Sequence, residues 1–217
     1  MHPTRPLPRR LLAALLMALA AAPACAGQLR GSIVLGGSPG TRRARAHETV
    51  VWLEQVPEKT EQKLTRAPAR LFRHRRPPPP LPLIVESGQR YRPRVTAIAA
   101  GSALVIRNMD HVWHGPFSVS PARAFDLGKC APGRSDTLRF DRTGVVALRC
   151  DIHPGMSAFV VVTPNHAFTQ PDTGGDWRLP DLPAGHYVVH VWRPEHRDLR
   201  QDVDVPARGS VTLPLHW

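Results

Sequence analysis

Cys150-Asp151-Ile152-His153-Pro154-Gly155-Met156 brings a thiol, an imidazole and a thioether into seven consecutive residues. Upstream, Asn108-Met109-Asp110-His111-Val112-Trp113-His114-Gly115 offers a further imidazole from either His111 or His114. Two His, one Cys and a weak axial Met are the donor set of a blue-copper electron-transfer site, in which the soft thiolate and thioether suit copper and the imidazoles suit both of its oxidation states. A loop this short closes on one ion only if strands hold both its ends. Val145 to Cys150 and Ser157 to Thr163 both read as strands, rich in Val and bounded by turn residues. Each donor alone is bland: a buried Cys is usually a small core hydrophobe, a Met after a turn fills a gap, and a His before Pro is a loop residue. Their conjunction at the end of one strand points to a metal. Asp110 reads as a turn residue, because a hard carboxylate suits this soft set poorly.

The same residues resemble a known family. Cys-x-x-His-Pro-x-Met is similar to the ligand loop of amicyanin-like cupredoxins, and Asn108-x-Asp110-x-x-x-His114 to the segment carrying their first His. Ala100-Gly101-Ser102-Ala103-Leu104-Val105-Ile106-Arg107-Asn108 resembles the cupredoxin run G-S-x-V-x-F-x-N. Phe125-Asp126-Leu127-Gly128 and Phe140-Asp141-Arg142-Thr143-Gly144 resemble periplasmic plastocyanin-like proteins found with methylamine utilisation systems. The resemblance covers about residues 81–163. It implies His114, Cys150 and His153 as equatorial ligands of one type 1 copper ion and Met156 as the axial one. It favours His114 over His111 by spacing from Asn108. It also implies an electron port at the ring edge of His153, within an apolar patch of Pro116, Phe117, Pro154 and Gly155. One position departs from the family. The residue after the first His is often Asn, with its amide directed at the Cys sulfur; here it is Gly115, followed by Pro116.

The start of the chain reads as an export signal, residues 1–26. Arg5, Arg9 and Arg10 precede an apolar run from Leu11 to Ala22, too short to span a bilayer. Ala24-Cys25-Ala26 is an A-x-A-like cleavage site. A lipid-modified Cys25 is the rival reading, but Ala22-Pro23-Ala24 lacks the Leu of a lipoprotein signal. The expected destination is the periplasm, with no transmembrane segment after signal removal. Of three cysteines, Cys25 leaves with the signal and Cys150 is a donor, so Cys130 remains as a free thiol in a turn-like, solvent-near stretch. The formal net charge is +12, and +9 without the three signal arginines. Export argues against nucleic acid as the partner of this charge and favours an acidic protein or anionic headgroups.

Flanking segments suggest a second sandwich. Gln28 to Leu35 and Glu48 to Glu54 read as strands in residues 27–62. After Thr163, Asp172-Thr173-Gly174-Gly175-Asp176-Trp177-Arg178-Leu179 and Leu182-Pro183-Ala184-Gly185-His186-Tyr187 resemble the pattern of carboxypeptidase-regulatory-like β-sandwich domains. Strands His186 to Trp192, Arg200 to Val205 and Ser210 to Leu215 finish residues 164–217. Neither part has enough strands to stand alone, so the metal domain, 81–163, is expected to be inserted between them. Residues 63–80 read as a mobile, basic, Pro-rich linker that is dispensable for folding or serves as a docking arm. No long helix is evident.

The expected fold class is therefore all-β: a cupredoxin-like Greek-key β-sandwich inserted into, or followed by, an Ig-like β-sandwich. The expected function is single-electron transfer to and from a redox partner protein, with an acidic partner favoured and the oligomeric state open. An enzyme would need an open coordination position, which a Met at this spacing fills. A copper-binding or delivery protein, or a structural protein with an empty site, are the alternatives.

Overall fold

A computed structural model describes residues 26–34, 46–70 and 80–216. The export signal expected at 1–26 lies outside them except for Ala26, as does most of the Pro-rich run. The chain is nearly all β, as expected. Its strands are β1 (Gln28–Val34), β2 (Val50–Leu53), β3 (Leu83–Glu86), β4 (Tyr91–Arg92), β5 (Val95–Ala99), β6 (Ser102–Asn108), β7 (Pro116–Ser120) and β8 (Arg123–Asp126). They continue with β9 (Ser135–Phe140), β10 (Gly144–Cys150), β11 (Ser157–Thr163), β12 (Phe168–Thr169), β13 (Asp176–Arg178), β14 (Gly185–Trp192), β15 (Leu199–Val205) and β16 (Ser210–His216).

Among the described residues, four sheets stack on three apolar layers. The outer sheet β13-β1-β16 faces β12-β2-β14-β15 across a core that includes Leu29, Leu53, Trp177, Val189 and Leu213. At the far side, β4-β3-β6-β9 faces β5-β11-β10-β7-β8 across a core of Ile84, Leu104, Phe140, Leu148 and Val160. The two middle sheets meet through Val50, Trp52 and Trp192 on one side and Val95 and Val161 on the other. Strands covered on both faces must be apolar at successive positions. Hence β2 reads Val-Val-Trp-Leu, with Val51 and Leu53 turned to one layer and Val50 and Trp52 to the other. In β11, Ala158, Val160 and Val162 face the metal-side core while Phe159 and Val161 face the neighbouring sheet. The outward ends of the chain meet: β1 runs parallel to β16 with Gln28 opposite Ser210, and β2 pairs with β14 with Trp52 opposite His190.

A helix, α1 (Glu58–Arg70), stands where the first part of the mobile linker is expected, at 63–80. Its sequence lacks a strong apolar stripe, which hides it. The Pro57 carbonyl accepts the Thr60 and Glu61 N–H groups, and Glu58 and Glu61 complement the positive end of the helix. Leu64 packs on the adjoining core, and Glu61 accepts the His166 N–H at 3.0 Å, tying α1 to the loop after β11. Residues 71–79 lie outside the described residues.

Candidate metal centre

Three loops at one end of the metal-side sandwich build the site. Asn108, buried at the end of β6, folds the first of them. Its Nδ2 donates to the Val112 carbonyl at 2.8 Å and the Cys130 carbonyl at 3.0 Å, and its Oδ1 accepts the Asp110 N–H at 2.8 Å. His114 then exchanges two backbone hydrogen bonds with Cys130, at 3.1 and 2.7 Å, just before β7. β7 pairs with the end of β10, with Pro116 opposite Cys150. The strand pairing therefore brings the first imidazole to the thiol. In the loop after β10, the Met156 N–H donates to the His153 carbonyl at 2.9 Å and closes a turn between the two residues.

His114 and Cys150 are buried, and His153 is half-buried. The two Nδ1 atoms lie 3.1 Å apart, and Cys150 Sγ lies 3.9 Å from His114 Nδ1 and 3.8 Å from His153 Nδ1. A point about 2.1 Å from all three atoms lies at the centre of this triangle, close to the roughly 2.0–2.3 Å that imidazole nitrogen and thiolate sulfur keep from a first-row divalent ion. Met156 is 2 % exposed and belongs to the same core cluster as Cys150. His111 is exposed and takes no part in the cluster.

Asp110 is more than a turn residue. Its carboxylate accepts the Gly88 and Gln89 N–H groups at 2.6 and 2.9 Å and sits 2.9 Å from His114 Nε2. Gly88 and Gln89 have φ of 63° and 52°, a left-handed pair whose successive amides form an anion-binding concavity. Burial pushes the Asp110 carboxyl up, but the Gln89 and Gly88 amides and His114 outweigh it and hold the group below its ordinary value. An ionised acceptor at Nε2 keeps the hydrogen there and turns the Nδ1 lone pair toward the centre. The donor set thus fits a thiophilic, imidazole-binding ion.

Two further expectations, for Cys130 and for the apolar patch, need correction. Cys130 is buried, not solvent-near: its backbone pairing with His114 draws it inward, and burial foremost pushes its thiol up to about 11. Gly115 leaves the sulfur its own donor, since the backbone N–H of Gly115 points at Cys150 Sγ from 3.3 Å. The apolar patch also differs. Pro116 is buried by its pairing in β7 and Phe117 is half-buried, whereas Pro154 and Gly155 are exposed, as are Met109, Val112 and Trp113 on the first loop.

Glu86 escaped the sequence reading. It ends β3 opposite Asn108 and Tyr91, is fully buried, and neither carboxyl oxygen has a hydrogen-bond partner among the described residues. Tyr91 donates instead to the Arg149 carbonyl at 3.0 Å. Burial drives the Glu86 carboxyl up to about 7 against the smaller downward pull of His114 and Tyr91.

No family model and no curated protein sequence matches the chain. Solved cupredoxins are similar to part of it. A Cu(I) form of an amicyanin variant covers 38 % of this chain and 81 % of its own, at 18 % identity and a TM-score of 0.36. A reduced form of another amicyanin variant covers the same shares at 19 % identity and a TM-score of 0.36. A copper-containing nitrite reductase from Thermus scotoductus is 22 % identical over 39 % of this chain, with a TM-score of 0.37, and the match spans 22 % of the reductase.

Proposed function

We propose that this chain is an exported carrier of single electrons that holds one type 1 copper ion on His114, Cys150 and His153, with Met156 as axial donor. The convergence of two inward Nδ1 atoms and one buried Sγ at ligand spacing carries the reading. Copper bound to such a set supplies a one-electron couple. The protein's part is to hold the donors still. The Asp110 carboxylate fixes the His114 ring, the β7–β10 pairing fixes Cys150, and the Met156–His153 turn fixes the loop. Met156, buried in the same core cluster as Cys150, is read as the donor that fills the remaining direction, a reading that favours electron transfer over an enzyme that opens a position to substrate.

The proposal extends to the rest of the chain. Residues 81–163 are read as the metal domain, and 27–62 with 164–217 as one regulatory-like, Ig-type sandwich that it interrupts; the pairings of β1 with β16 and β2 with β14 support this division. The basic, apolar N-terminus supports export to the periplasm. No helix among the described residues is long and apolar enough to cross a membrane. The partner is read as an acidic redox protein rather than nucleic acid. Metal analysis with X-ray absorption tests the reading: one copper per chain with a short copper–sulfur bond is expected. Copper held by nitrogen and oxygen alone would contradict it.

A further inference from the structure

A cleft of about 490 Å³ separates the metal loop from the neighbouring sandwich. Its walls include Arg90, Arg92 and Arg94 from the β3–β5 region, His47 from the other sandwich, and Tyr91 and Met156. The three arginines differ in their surroundings. Arg94 is already neutralised, with Glu48 and Glu195 each at 2.9 Å, and its guanidinium stacks over the Phe159 ring at 5.7 Å. It is a tie between the two sandwiches. Arg90 and Arg92 are exposed, and no carboxylate of the described residues pairs with either. Two unneutralised guanidinium groups thus line the same cleft as Gly155, Met156 and Ser157.

We propose that the Arg90–Arg92 cleft is a docking site for an acidic protein surface, which it seats against the loop carrying His153 and Met156. Planar guanidinium groups pair with carboxylates through two parallel N–H donors, which sets orientation as well as attraction. These two charges line the same cleft as Gly155, Met156 and Ser157, so they steer an acidic partner toward the metal loop. The Coulombic part of the contact is exposed and therefore salt-sensitive. The role in electron transfer rests on the copper reading; the docking itself does not.

The test separates the two. Copper-free protein is titrated with an oligo-glutamate peptide while backbone amide shifts are followed. Shifts at Arg90 to Arg94 and at Gly155 to Ser157 are expected, fading as salt is raised. In the double variant Arg90→Gln, Arg92→Gln, affinity should fall about two- to thirty-fold, the range two exposed ion pairs span. Undiminished binding by the variant, shifts confined to α1, or equal binding of inorganic phosphate would overturn the docking site. Next, reduced copper-loaded protein is oxidised by ferricyanide, an anionic acceptor of one electron, and by a cationic cobalt(III) complex. The variant should slow with ferricyanide and not with the cobalt complex. Peptide binding at the cleft with an unchanged ferricyanide rate would overturn its role in electron transfer, while the copper reading stands or falls on its own spectrum.

Discussion

His114 Nε2 lies 2.9 Å from Asp110 Oδ2, a contact that spans one tight turn and decides which ring nitrogen faces the centre. Removing the carboxylate frees the tautomer and also strands the Gly88 and Gln89 amides. Asp110→Ala should therefore weaken metal binding by about 10–100-fold, the usual cost of losing such an outer partner. Chelator competition measures it. His111 is exposed and stands outside the cluster, so His111→Ala should leave the affinity unchanged.

Gly115 has a steric reason to lack a side chain. A Cβ there would stand 1.7 Å from Asp151 Oδ1. The Asp151 side chain is half exposed and among the described residues pairs only with Lys129, at 3.1 Å, so it can swing away at modest cost. Gly115→Ala should destabilise by about 1 kcal/mol, and Asp151→Ala in the same chain should recover most of the loss, a coupling between touching residues. Urea unfolding of the four proteins in the cycle reads it; strictly additive effects would count against the clash.

Glu86 predicts a pH dependence. Its folded value of about 7 is above the ordinary 4.5, so the stability it permits is fully present below 4.5 and is lost as pH rises through 7. A tenfold change in a proton equilibrium corresponds to about 1.4 kcal/mol, which makes the loss on the order of 3 kcal/mol. Copper-free Glu86→Gln should match the parent at pH 4 and exceed it at pH 8, by denaturant unfolding. Parallel pH profiles for the two proteins would show that the carboxyl is not ionising inside.

Trp192 meets Phe159 edge to face at 5.4 Å across the two middle sheets. Trp192→Ala should cost about 3 kcal/mol by opening a cavity in that layer. Thermal unfolding followed at Trp-independent probes in each sandwich should show both lowered together. Loss in one sandwich alone would mean the layer does not couple them.

What the sequence reveals follows from range. The Val-rich strands around Cys150 and Met156 are legible because their burial repeats within a few residues, and the loop donors because seven residues hold three of them. Strands of two to four residues, such as β4, β8, β12 and β13, carry no period to read. Helix α1 is missed because only Leu64 of its described side chains packs on the apolar core. Asp110 and Glu86 gain their character from contacts made across the fold: Gly88 lies 22 residues from Asp110, and Glu86 is held between Tyr91 of β4 and Asn108 of β6. Cys130 looks like a turn residue among Gly and Pro, and only its pairing with His114 buries it.

The visible absorption spectrum of the protein after addition of Cu(II) decides whether Cys150 binds copper as a thiolate. A Cys150 thiolate bound to Cu(II) should give an intense charge-transfer band at one equivalent, absent in Cys150→Ser and retained in Cys130→Ser. Copper binding without that band, or a band that needs Cys130 rather than Cys150, would contradict the account.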